Sequence, residues 1–154
     1  MKKIQSFQID HTILSKGMYV SRTDGDVITY DIRMRLPNKE EVMTTGAMHT
    51  IEHLFATFAR NSKYSDSIIY FGPMGCRTGF YFLTRDSVSK KQAIELTKDA
   101  FDFIASYSDE IPGVSEAECG NYRDHDLDTA KKEAAMMKEV LKNWTEEKLV
   151  YPTK

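Results

Sequence analysis

The alternation of apolar and polar side chains is clearest over residues 27–36. Ile28, Tyr30, Ile32, Met34 and Leu36 face one way and Thr29, Asp31, Arg33 and Arg35 the other. That is the two-residue period of a half-buried strand. On pattern alone, Arg33 and Arg35 belong to its solvated side. Thr23-Asp24-Gly25-Asp26 is a turn signal just upstream, so residues 18–22 form a hairpin with this strand. Residues 6–9 show a shorter alternation and are expected to be extended, with His11 in the connection that follows.

After Pro37-Asn38 and a polar loop, the period changes to that of a helix. Thr44 or Thr45 is the expected N-cap, and Met48, Ile51, Leu54, Phe55 and Phe58 form a core stripe as far as about residue 61. Residues 67–71 and 80–85 read as buried strands. Between them lies Gly72-Pro73-Met74-Gly75-Cys76-Arg77-Thr78-Gly79, a tightly bent loop that presents a cysteine on backbone. A second helix runs from Ser87 or Ser89 to about residue 107, with Ala93, Ile94, Thr97, Ala100, Phe101 and Ile104 inward, and Glu110-Ile111-Pro112-Gly113 stops the chain after it. A third helix covers about 127–144, with Ala130, Ala134, Met137, Leu141 and Trp144 at core spacing. Four strands joined by short turns, plus three helices, predict an α+β fold. Its sheet is mostly antiparallel, with the helices packed against it as a single domain over residues 1–154.

Composition narrows the setting. Apolar residues make up 41% and charged residues 29% of 154 positions, with a formal net charge of -2. Nothing in that balance calls for nucleic acid or an anionic membrane as partner. No apolar run reaches the length of a membrane span, and Met1-Lys2-Lys3-Ile4-Gln5-Ser6 lacks the apolar core of a signal peptide, so a cytoplasmic location is expected. Cys76 and Cys119 are the two cysteines. In a reducing compartment they read as a metal ligand and a reactive group rather than a disulfide.

The chemistry concentrates in Met48-His49-Thr50-Ile51-Glu52-His53-Leu54. Histidines four apart stack on one helix face and can grip one metal ion, with Glu52 beside them to move protons. His49, His53, Ala56 and Arg60 share that stripe, so Arg60 could reach an anionic group near the metal. Two histidines leave an ion short of ligands. Cys119, His125, His11, Cys76 or a carboxylate could supply the third. Nitrogen and sulfur donors suit Zn(II) or Fe(II). The order His-x-x-Glu-His also occurs in inverted zincin metalloproteases, which makes peptide hydrolysis one reading. A structural site closed by a fourth ligand is another, and His125 is its test. Otherwise His125 is a helix-entry histidine held by a neighbouring carboxylate.

Five stretches in order resemble the S-ribosylhomocysteine lyase (LuxS) family over nearly the whole chain. They are Ser6-Phe7-Gln8-Ile9-Asp10-His11, Tyr30-Asp31-Ile32-Arg33, His49-Thr50-Ile51-Glu52-His53, Pro73-Met74-Gly75-Cys76-Arg77-Thr78-Gly79, and Glu118-Cys119-Gly120 with His125-Asp126-Leu127. The resemblance implies His49, His53 and Cys119 as metal ligands and Glu52 and Cys76 as proton-transfer residues. It implies Ser6, His11 and Arg33 at substrate-contacting positions; Arg60 is a further candidate for an anionic group. It also implies a homodimer with sites at the subunit interface and one divalent metal per subunit, usually Fe(II), with Zn(II) or Co(II) as substitutes. The implied reaction cleaves S-ribosylhomocysteine to homocysteine and 4,5-dihydroxy-2,3-pentanedione, the autoinducer-2 precursor. One departure stands out. Many members carry Ile-Asp-Ile-Ser before Pro-Met-Gly-Cys, and this chain has Ile69-Tyr70-Phe71-Gly72.

Overall fold

The computed structural model describes residues 1–153. Strands β1 (Gly17–Asp24), β2 (Val27–Arg33), β3 (Ile68–Pro73) and β4 (Gly79–Arg85) form one antiparallel sheet in the order β1-β2-β4-β3. Helices α1 (Thr45–Arg60), α2 (Lys90–Ala105) and α3 (Leu127–Val140) pack against one face of it. The α+β architecture expected from the patterning is the one observed. The core joins Met18, Tyr30, Ile32, Phe80 and Phe82 from the sheet to Ile51, Phe55, Ile94, Phe101 and Met137 from the helices. At its centre the Phe55 ring stacks on Phe71 at 3.8 Å and meets Phe82 and Phe101 edge-on, and the edge contacts are a geometry that aromatic quadrupoles favour. Among the described residues, no helix is long and apolar enough to cross a membrane.

The helix starts are set locally. Thr44 accepts a hydrogen bond from the Ala47 N–H, and Ser89 with Gln92 forms a reciprocal capping box. Each satisfies donors that a helix start leaves orphaned, which contributes about 1 kcal/mol.

Three expectations need correction. Residues 6–9 are not extended: Gln5–Phe7 is a single 3-10 turn, closed by Phe7 N–H to Ile4 O and Gln8 N–H to Gln5 O. No neighbouring strand offers this segment a ladder, so local bonds win. Strand β2 ends at Arg33 rather than continuing to Leu36, because the Met34 and Arg35 N–H groups turn to the Thr78 carbonyl at 2.8 and 3.1 Å. Helix α3 stops at Val140, and Trp144 then donates Nε1–H to the Met18 carbonyl at 2.9 Å, against the edge of the sheet.

The polar side of β2 is not solvated either. Asp31 is 1% exposed and Arg33 3%. Asp31 lies opposite Tyr19 on β1 and Tyr81 on β4, so two aromatic neighbours flank it on the sheet face away from the helices. Arg35 is also largely covered and forms a two-pronged pair with Glu133 of α3. Arg33 itself lies opposite Gly17 and Gly79. A Cβ on Gly79 would meet the Ile32 carbonyl oxygen at 2.2 Å and Arg33 Cα at 3.1 Å. Backbone must move to admit it, so Gly79→Ala is expected to destabilise the fold by about 2–3 kcal/mol and lower Tm by roughly 5–10 °C. A thermal melt that matches the parent protein would show that the strand pair yields without cost.

Candidate metal centre

Helix α1 places His49 and His53 one turn apart with their rings perpendicular, 4.6 Å between centroids. The loop between α2 and α3 fixes each ring. His49 Nδ1 lies 2.8 Å from the Asp124 carbonyl and His53 Nδ1 2.8 Å from the Pro112 carbonyl. A carbonyl only accepts, so both Nδ1 atoms carry the proton and both Nε2 lone pairs are free. Those lone pairs meet at Cys119: its Sγ is 3.3 Å from His49 Nε2 and 4.0 Å from His53 Nε2. Perpendicular ring planes intersect along a line, so one ion can lie in both at once. Two neutral imidazoles and a thiol that ionises on binding suit a divalent ion and leave a tetrahedral position for another ligand.

The same loop comes close because glycines allow it. A Cβ on Gly113 would meet His53 Nδ1 at 3.3 Å, and one on Gly46 would meet Asp124 Oδ1 at 3.3 Å. Thr50, on α1 between the two ligands, receives the Asp126 N–H at 3.0 Å and shares a 2.9 Å hydrogen bond with His125 Nδ1. The approach of 124–126 to α1 is thereby pinned.

His125 joins the cluster: the donor atoms of His49, His53, Cys119 and His125 all lie within 4.8 Å of one another. Its partner is the Thr50 hydroxyl, not the neighbouring carboxylate expected from sequence. Burial, then the nearby His49 and His53, lower its pKa to about 4, so the ring is neutral near pH 7. Its orientation nonetheless sets it apart. It stacks on His49 at 3.9 Å with 21° between planes. An imidazole lone pair lies in its ring plane, and two nearly parallel stacked planes converge only well beyond bonding distance. An ion in the His49 plane at Nε2 would lie off the His125 ring plane, so His49, His53 and Cys119 could hold one ion without it.

The remaining candidates fall into two cavities. Glu52, His53 and Arg60 line one, together with Tyr70, Pro112 and Gly113. Arg60 is exposed and donates to the Ile69 carbonyl at 3.1 Å. Cys76, Ser6, His11 and Arg33 line the other with Met74 and Tyr81. Cys76 is exposed on its loop, and its Sγ lies 3.1 Å from Thr78 Oγ1. Arg77 beside it adopts a φ of 59°, the left-handed region, which turns the loop back toward β4. The two cavities have no lining residue in common.

A model of the family described as S-Ribosylhomocysteinase (LuxS) matches residues 4–148. The chain belongs to that family. It is 50% identical over 157 aligned positions to an S-ribosylhomocysteine lyase of Borrelia garinii subsp. bavariensis, covering 99% of this chain and 100% of that protein. It is 48% identical to one of Phocaeicola vulgatus, covering 100% and 99% respectively, and 49% identical to one of Clostridium beijerinckii, covering 99% of each.

Within the LuxS pattern, the departure at Tyr70 now has a structural account. A Cβ on Gly72 would meet the Tyr70 hydroxyl at 2.1 Å and its ring carbon at 2.4 Å. The phenol lies over the space that a side chain at 72 would take, so glycine at 72 lets Tyr70 fold back over it, and a larger residue there would displace the phenol. Tyr70 is half exposed and lines the Glu52 cavity. Reading the sequence missed the carbonyls of Pro112 and Asp124, the Thr50 clamp and the role of Gly113. Backbone acceptors carry no residue-type signal, and Gly113 read simply as a helix stop.

Proposed function

We propose that residues 1–154 are one catalytic domain that cleaves S-ribosylhomocysteine to homocysteine and 4,5-dihydroxy-2,3-pentanedione. The observation that carries this reading is the convergence of two imidazole lone pairs and one sulfur in a chain whose LuxS relatives are named for that reaction. His49, His53 and Cys119 hold one divalent ion, Fe(II) in the native protein, with Zn(II) or Co(II) able to substitute. When bound, the ion supplies Lewis acidity toward the sugar oxygens.

The leaving sulfur starts on a carbon that is not β to a carbonyl. The sugar carbonyl must therefore migrate until elimination becomes possible, and each migration removes a proton beside a carbonyl and returns one to its neighbour. Two proton carriers with different positions suit that sequence. Cys76 Sγ and the Glu52 carboxylate are those carriers, from the two cavities described above. Ser6, His11 and Arg33, which share the Cys76 cavity, hold substrate there. Arg60, beside Glu52, faces an anionic group.

The enzyme acts as a cytoplasmic homodimer whose sites lie at the subunit interface. Two observations support this. Glu52 and Cys76 line separate cavities within one chain. The N-terminal segment and β3 also expose apolar side chains beside these cavities: Ile4 at 56%, Phe7 at 65% and Tyr70 at 52%. Such a patch fits a self-complementary two-fold contact.

The test is to incubate anaerobically purified protein with S-ribosylhomocysteine and measure released homocysteine thiol. No thiol from fully metal-loaded protein would remove the assignment. A second expectation concerns His125. If the ligand set is His49, His53 and Cys119, His125→Ala should still bind about one metal per chain, with affinity reduced by no more than the ~10–100-fold typical of an outer contact. Metal analysis showing an empty site would make His125 a ligand.

A further inference from the structure

Cys76 stands at the end of an ordered row of hydrogen bonds that starts in the segment after α3. The Tyr151 hydroxyl donates to Asp31 Oδ2 at 2.6 Å. Asp31 receives both Arg33 Nη2–H at 2.6 Å and Nε–H at 3.1 Å. Arg33 Nη1–H then reaches Thr78 Oγ1 at 2.8 Å, and Thr78 Oγ1 lies 3.1 Å from Cys76 Sγ. The middle of the row is dry: Asp31, Arg33 and Thr78 are 1%, 3% and 5% exposed.

The bond from Arg33 leaves Thr78 able to donate to Cys76. A guanidinium only donates, so Thr78 Oγ1 is an acceptor toward Arg33. Its single proton is then available to the sulfur, its one other hydrogen-bond partner among the described residues. A bond that runs from this oxygen to the Cys76 sulfur favours the thiolate over the thiol. The far end holds the row in place. Tyr151 stacks on Tyr19 with 5.0 Å between centroids. Burial, then the Asp31 charge and hydrogen bond, raise the Tyr151 pKa well above its ordinary value, so the phenol stays a donor. Burial works against the Arg33 charge, but Asp31 outweighs it and the net direction is upward.

We propose that Thr78 and Tyr151 are positioning residues for Cys76: the Thr78 hydroxyl donates a hydrogen bond to the Cys76 thiolate, and Tyr151 anchors the buried Asp31–Arg33 pair that orients Thr78. The inference rests on Cys76 being a proton carrier in the proposed lyase, but it concerns the state of the sulfur in the protein before any substrate binds.

The test reads the sulfur directly. Metal-loaded protein is treated with iodoacetamide at about pH 7, and alkylation of the Cys76 peptide is followed by mass spectrometry, separately from Cys119. Thr78→Val, close in shape, should slow alkylation about fivefold, because loss of thiolate outweighs the modest gain in nucleophilicity of the remaining fraction. Thr78→Ser, which keeps the hydroxyl, should restore at least half of the parent rate. Tyr151→Phe, which keeps the ring on Tyr19, should slow alkylation about twofold. A folded Thr78→Val with the parent rate, or a Thr78→Ser as slow as Thr78→Val, overturns the proposal. If Thr78→Val does not fold, Tyr151→Phe decides: a slower rate supports it and an unchanged rate overturns it. Homocysteine release by the parent protein is scored separately, so failure of the lyase reading would leave the alkylation result standing.

Discussion

Cys76→Ala and Glu52→Gln are each expected to bind metal as the parent protein does and to lose at least ~100-fold in kcat, the scale of removing one acid–base group. Neither side chain approaches the donor cluster closely enough to hold an ion. Cys76 lies in a cavity of its own with Ser6, His11 and Arg33, and Glu52 is half-buried on α1 between the two histidines. Homocysteine release under saturating substrate, with metal content measured on the same samples, checks both halves of the expectation. A variant that turns over at the parent rate would take its residue out of the mechanism. Mixing the two inactive variants adds a sharper test. If each site draws Glu52 from one subunit and Cys76 from its partner, random exchange makes half the dimers mixed, and one of their two sites is intact. About a quarter of the parent activity should return by that symmetry. If both residues serve a site within one chain, the mixture stays as inactive as its components.

Cys119→Ala is expected to abolish metal retention and with it all turnover. Loss of an outer contact to a ligand typically costs 10–100-fold in affinity, so loss of a ligand should exceed ~100-fold. The sulfur is the donor that both imidazoles meet, at 3.3 and 4.0 Å, whereas the His125 ring stacks on His49 with 21° between planes. Metal analysis after dialysis is the measurement. Full occupancy in Cys119→Ala would remove the sulfur from the ligand set and reopen the place of His125. The fold should survive, since Cys119 sits on a partly exposed loop outside the core.

These two experiments divide along the line that separates sequence from structure. The α+β class, the hairpin at Gly25, the α1 and α2 starts and the His49–His53 pair were all legible in order along the chain. Each depends on neighbours within one turn or one strand, where period and capping act. The Cys76 loop was legible for the same reason, through its glycines and proline. The long-range matches could be placed only through family resemblance, because no local rule ties Cys119 to histidines 66 and 70 positions away.

Residue type misled where burial was decided by other parts of the chain. Arg33 has the alternation of a solvated position, yet it is buried because Tyr151, more than a hundred residues on, covers its partner Asp31. Residues 6–9 alternate like a strand, yet they join no ladder and close local turns instead. His125 was in view from the start, but whether it could ligate depended on the angle of its ring to His49. The sequence by itself determined which elements form and which donors the chain owns. The tertiary structure decided which lone pairs meet and which charges lose water, because direction and desolvation arise only when distant segments share one space.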